Sequence, residues 1–184
     1  MPTLTPHSTP GFDDSMREVL SSFCTGVAVI TAIQSDGRPT GMAVQSFSAV
    51  SLDPPLICFC PALTSTTWPH IRAAGRFAVN ILAAEQQPLC RQFAVTGQEK
   101  FRDAGWRPGA NGAPLLDGAL ATVECELADT FPGGDHLIAL GRVTTLERHG
   151  EAGPLLYFRR GYGRLRSSSS RSASIESARS RSEA

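Results

Sequence analysis

Lysine is almost missing from this chain: Lys100 stands alone beside sixteen arginines. Acidic and basic residues balance at 17 each, which leaves no formal net charge. Without a positive excess the chain has no overall pull toward nucleic acid or anionic lipid. Long hydrophobic runs are missing too. Nowhere do about 18 apolar residues follow one another, so a membrane-spanning helix is excluded. The opening MPTLTPHSTPGF lacks the basic start and apolar stretch of a secretory signal, and the cytoplasm is the expected compartment.

Familiar catalytic and metal motifs are absent as well. No GxGxxG follows a strand, and neither GxxxxGK[ST] nor GxSxG occurs. His7, His70, His136 and His149 fall in no metal-binding spacing. Cys24, Cys58, Cys60, Cys90 and Cys125 are odd in number, scattered and without a CxxC pair. Zinc wants tighter spacing, so buried reduced thiols are expected. Asp13 and Asp14 read as a helix start, and Glu124 and Glu126 as a solvent-facing strand edge. That leaves little support for paired-carboxylate hydrolysis. So sparse a set of acid–base groups suits an enzyme whose cofactor supplies the chemistry.

What the chain does contain is one domain's worth of patterned sequence. Hydrophobic content of 41% with 18% charged residues describes a soluble globular protein. A flexible lead-in (1–11) precedes a domain at 12–166, and a Ser/Arg-rich tail (167–184) is too poor in large apolar residues to fold. Phe12, Met16, Val19, Leu20 and Phe23 recur at helical spacing on one face. TGVAVITAI (25–33) reads as a buried strand, SDGRP (35–39) as a turn, and 41–52 as the returning strand of a hairpin. Further strands are expected at 56–61, 76–82, 119–131, 136–147 and 154–158. Short helices are expected at 64–75 and 84–94, and a long surface loop at 103–114. Strands linked mostly by turns favour an antiparallel, closed or nearly closed barrel.

One segment departs from a plain core strand. GMAVQSFSAVSLDPPLICFCP (41–61) sets Gly41, Ala43, Ser46, Ser48 and Ser51 among apolar residues. Small residues let a ligand approach the backbone, and buried hydroxyls are costly without a partner. Thr64, Ser65, Thr66 and Thr67 then open a helix, where free N–H groups suit a phosphate.

These segments also carry a resemblance. FCTGVAVITA (23–32), TGMAVQSFSAVSLDPPL (40–56), RFAVNIL (76–82), GAPLLDGALATVECEL (112–127), GGDHLIALGRV (133–143) and PLLYFRRGYGRL (154–165) occur in the order seen in flavin reductases. The chain resembles that family, in particular the reductase components of two-component aromatic monooxygenases. The resemblance implies a mainly β fold, the FMN-binding split β-barrel, antiparallel and Greek-key-like with a few short flanking helices. It implies a homodimer that reduces FMN or FAD with NADH or NADPH and supplies a flavin-dependent oxygenase. Flavin contacts would come from Val44, Gln45, Ser46, Phe47, Ser48, Cys60 and Pro61. Ser65 and Thr66 would hold the flavin phosphate beside Trp68, and Lys100 and Phe101 would close the site. His136, in the Gly134-Asp135-His136 motif, would be the catalytic residue where the nicotinamide approaches, near Tyr162. A doubled arginine, Arg159-Arg160, departs from the single arginine common before Gly161 in this motif. Two other readings remain at this point: a non-catalytic flavin carrier on the same barrel, and a flavoenzyme of the pyridoxamine-phosphate oxidase type. No metal is implied.

Overall fold

The computed structural model describes residues 11–97 and 99–165; most of the expected lead-in and the Ser/Arg tail lie outside them. Helix α1 (Phe12–Leu20) comes first, then strands β1 (Thr25–Gly26), β2 (Ala28–Ile33), β3 (Pro39–Val44), β4 (Ser48–Leu52) and β5 (Pro55–Phe59). After α2 (Trp68–Ala74) and β6 (Arg76–Ile81), a 3₁₀ turn leads into α3 (Gln87–Ala94). The remainder is β7 (Trp106–Pro108), β8 (Pro114–Leu116), β9 (Ala121–Gly133), β10 (His136–Arg148), β11 (Leu156–Phe158) and β12 (Gly161–Gly163). No described helix is long and apolar enough to cross a membrane.

Seven strands form one antiparallel sheet in the order β3-β2-β6-β9-β10-β5-β4. Its two edge strands, β3 and β4, are neighbours in sequence and are joined by residues 45–47. In a flat sheet, six inter-strand steps of about 4.8 Å would part those edges by almost 30 Å. From Val44 to Ser48 the chain spans at most about 14 Å. The sheet must therefore roll until its edges nearly meet, giving a barrel with one unpaired seam. A hydrogen bond bridges the seam, the Cys60 N–H donating to Ser46 Oγ at 2.9 Å.

Side-chain alternation places the two faces of β2. Ala28, Ile30 and Ala32 point into the barrel with Phe59, Ile71, Phe77 and Val79. Val27 and Val29 point outward, yet they are buried under Cys90 and Phe93 of α3, Leu116 and Leu155. A strand covered on both faces loses the polar alternation of a half-exposed one, which is why 27–32 reads as unbroken core. Asn80, fully buried, pins the short β7–β8 hairpin to this outer face. Its Nδ2 donates to Val29 O and Thr31 Oγ1, and its Oδ1 accepts the Leu116 N–H at 2.7 Å.

Several expectations need correction. The 41–52 stretch is two strands on opposite sheet edges, because Gln45, Ser46 and Phe47 cross the seam. Residues 103–114 are not all loop: β7 pairs with β8. The helix expected from 64 begins at Trp68, and the last motif adds β12 beyond the expected strand. Glu124 is not solvent-facing; it is 4% exposed and accepts the Ala110 and Asn111 N–H groups at 3.1 and 2.7 Å. The loop after β7 folds over that part of β9 and buries it. The thiols are not uniformly buried either: Cys90 and Cys125 are, Cys58 and Cys60 are half-buried, and Cys24 is exposed. The apolar face of α1 lies uncovered, with no buried residue in the helix.

Candidate functional site

The seam opens into a groove of about 450 Å³. One side is β3 and its continuation, with Val44, Gln45 and Ser46. The other is the chain leaving β5, with Cys60 and Ala62. His136 and Tyr162 stand on its walls. Because β3 lacks a neighbour on its seam side, the groove is bordered on that side by backbone amides and carbonyls without sheet partners. A planar heterocycle with ring donors and acceptors can pair with such an edge. Ser46, at the crossing, ties the two sides together by accepting the Cys60 N–H.

The His136 ring stands at the start of β10, after a tight turn in which Gly134 takes a left-handed backbone at φ 77°. Its Nδ1 lies 2.8 Å from Asp135 Oδ1. That hydrogen bond holds the Asp135 carboxyl below the ordinary carboxylate range and leaves Nε2 as the ring's outward nitrogen. Tyr162 faces Tyr157 edge-on at 5.1 Å between ring centres and lies 3.4 Å from Cys90 Sγ. Burial, reinforced by the contact with Cys90, pushes its phenol up to about 12. The Cys90 thiol is also pushed up by burial, so it meets the groove as a neutral thiol.

Farther along β3 a second cavity, of about 460 Å³, is lined by Pro39, Thr40, Thr66, His70, Lys100 and Phe101 among others. The Lys100 ammonium does not point freely into it. It donates to Gly41 O at 3.0 Å, Phe93 O at 3.1 Å and Thr67 Oγ1 at 3.4 Å. Burial pulls its pKa down. Phe101 packs edge-on against Phe93 and Trp106. The pair thus fastens the segment after α3 across β3.

The expected site residues therefore divide. Val44, Gln45, Ser46, Cys60, His136 and Tyr162 come together around the groove, while Thr66, Lys100 and Phe101 line the neighbouring cavity. Ser65 accepts the Trp68 N–H at 3.1 Å, shaping the turn before α2. Trp68 lines neither cavity: it is 5% exposed and meets Phe59 edge-on in the barrel core, because it shares an inward helical face with Ile71. Phe47 packs on that core, Pro61 is buried, and the Ser48 hydroxyl donates to Ala49 O. Gly41 also changes role. A Cβ there would lie 2.8 Å from Phe93 Cε1, so its smallness admits α3 rather than a ligand. Cys90 and Ala94 of α3 line the groove unanticipated; their only mark in the sequence is the apolar spacing of a packed helix.

An antiparallel sheet rolled around one core, with a ligand groove in its unpaired seam, defines a ligand-binding split β-barrel. The family described as "Flavin reductase like domain" matches residues 20–166. This chain belongs to that family. It is 47% identical over 146 residues to the flavin-dependent monooxygenase reductase subunit HsaB of Rhodococcus jostii, covering 79% of this chain and 74% of that protein. The crystal structure of nitrilotriacetate monooxygenase component B from Mycobacterium thermoresistibile superposes with a TM-score of 0.81 at 42% identity, over 84% of this chain and 87% of that one. The NADH:FAD oxidoreductase SgcE6 of Streptomyces globisporus, in complex with NAD and FAD fragments, gives 0.82 at 34% identity, covering 90% and 99%.

Proposed function

We propose that this chain is an NAD(P)H:flavin oxidoreductase, the reductase half of a two-component system that hands reduced FMN or FAD to a separate oxygenase. The observation that carries the reading is the seam groove, with the free edge of β3 on one side and His136 and Tyr162 on its walls. A flavin bound there supplies the acceptor for a hydride from reduced nicotinamide. The chain's own part is positioning. Reacting atoms held about 3–3.5 Å apart need no protein acid or base for that transfer.

In this reading the backbone of 44–48 and the Cys60-Pro61 turn border the ring and ribityl chain. Ser65 and Thr66 lie toward the phosphate, with Lys100 and Phe101 keeping that end in shape. His136, oriented by Asp135, presents its outward nitrogen to the nicotinamide carboxamide, and Tyr162 forms the floor beside it. A homodimer accounts for the uncovered apolar face of α1, where Phe12, Met16, Val19 and Leu20 are 51–70% exposed. The folded domain is 12–166.

The test is steady-state oxidation of NADH and NADPH with FMN or FAD added in turn. Flavin-dependent turnover with rapid exchange of the flavin is expected. A protein that keeps its flavin through gel filtration and turns over almost no nicotinamide would be a carrier instead.

A further inference from the structure

Helix α3 brings a buried thiol to the groove. Cys90 is 2% exposed and packs with Val29, Leu82, Phe93 and Leu155. Packing alone asks only for a small apolar side chain there. Yet Cys90 also lines the groove with Ala94, four residues on and so on the same helical face. Its Sγ lies 3.4 Å from the Tyr162 hydroxyl, within hydrogen-bond reach for sulfur. Burial keeps both groups protonated, so a thiol meets a phenol and one donates to the other. Alanine at 90 would fill much of the space and make no such bond.

Tyr162 depends on contacts of this kind. It is the middle residue of β12, a three-residue strand at the edge of the β1-β11-β12 sheet, and the other two residues are glycines. Its own strand therefore gives the ring nothing to lean on, and three groups from elsewhere hold it. Tyr157, its cross-strand partner, meets it edge-on at 5.1 Å between ring centres. The Arg91 guanidinium lies over the ring, 5.6 Å from its centre. Cys90 takes the hydroxyl. Two of the three are consecutive residues of α3. The same helix is seated on β3, the strand that borders the groove, because Phe93 fills the space that Gly41 leaves. One rigid element thus joins the free edge of β3 to the aromatic ring on the groove's wall.

We infer that Cys90 and Arg91 are positioning residues for the hydride transfer, holding the Tyr162 ring at a fixed angle to the groove from a helix anchored on β3. The inference rests on the reductase reading above and gives α3 a part in it. A ring free to turn would offer a changing wall, and a nicotinamide settling against it would spend less time at the approach of about 3–3.5 Å that transfer needs. Because the thiol occupies the hydroxyl, Tyr162 serves through its ring.

Anaerobic stopped-flow reduction of FMN at saturating NADH reads the transfer, and flavin fluorescence reads FMN affinity. Cys90→Ala should lower the limiting rate about fivefold, the worth of one hydrogen bond, while FMN affinity stays within about twofold. Cys90→Ser, which keeps a hydroxyl for the phenol, should restore most of the rate. Tyr162→Phe removes the same bond, so it should cost a similar factor, and adding Cys90→Ala to it should cost nothing more. Arg91→Gln, at an exposed position, spares the core and should lower the rate about threefold, the worth of an exposed cation–π contact. Losses from Cys90→Ala and Tyr162→Phe that multiply, or unchanged rates in Cys90→Ala and Arg91→Gln, overturn the positioning role. Equal falls in rate and FMN affinity overturn it too, since they mark a helix that only shapes the barrel. A parent protein that oxidises neither NADH nor NADPH in the presence of FMN or FAD overturns the reductase reading itself.

Discussion

Replacing Lys100 with methionine keeps the length of the side chain and removes its three hydrogen bonds. The acceptors left behind, Gly41 O, Phe93 O and Thr67 Oγ1, belong to β3, the end of α3 and the turn before α2. Charge-assisted bonds contribute about 1.5–3 kcal/mol each where water is excluded. Lys100 is only half-buried and water can reach part of this cluster, so a total near 2–4 kcal/mol is expected after that discount. For a domain of this size each kcal/mol moves the melting temperature by about 2–4 °C, which places the loss at roughly 5–15 °C. Circular dichroism melting of the flavin-free protein measures it, and fluorescence titration measures FMN affinity separately. A variant that melts within about 1 °C of its parent, yet binds FMN far more weakly, would show that the ammonium serves the flavin and not the fold.

His136→Ala should raise the KM for NADH about tenfold, the worth of one hydrogen bond to the donor, and lower turnover; stopped-flow reduction of flavin under anaerobic conditions checks both. Gly41→Ala sets a Cβ 2.8 Å from Phe93 Cε1 and 2.9 Å from Ile30 O. Since backbone cannot step aside, a loss of about 1–3 kcal/mol in urea unfolding is expected. The phenol of Tyr162, pushed up to about 12, holds its proton in the native state above the pH at which the unfolded chain releases it. Its contribution is thus present below about pH 10 and lost as pH rises toward 12. Tyr162→Phe should flatten the alkaline fall in stability across that window, as read by melting at a series of pH values.

The barrel was legible in the sequence because strand periodicity and turn residues are local properties. The hairpin at SDGRP and the long β9–β10 pair both stand where their patterns put them. The crossing at 45–47 was not legible, since nothing local distinguishes a strand that continues from one that jumps to the far edge of its own sheet. Residue type also misled where tertiary packing reassigned it. Gly41 makes room for Phe93, Glu124 is buried by a loop contributed from elsewhere, and Trp68 fills the core. The groove's wall from α3 was hidden for the same reason: Cys90 and Ala94 come to it from a distant part of the chain.

The seam bears on how such a site can change over time. One side of the groove is peptide backbone left unpaired at β3, and every residue but proline carries the same backbone donor and acceptor. The exposed side chains of Gln45 and Ser48 can therefore drift without erasing the pairing edge, provided Ser46 still bridges the seam and the rolled sheet keeps its gap. The substitutions that abolish the site outright should be those that close the gap or add a proline to its edge. Divergence here is free in identity and strict in geometry.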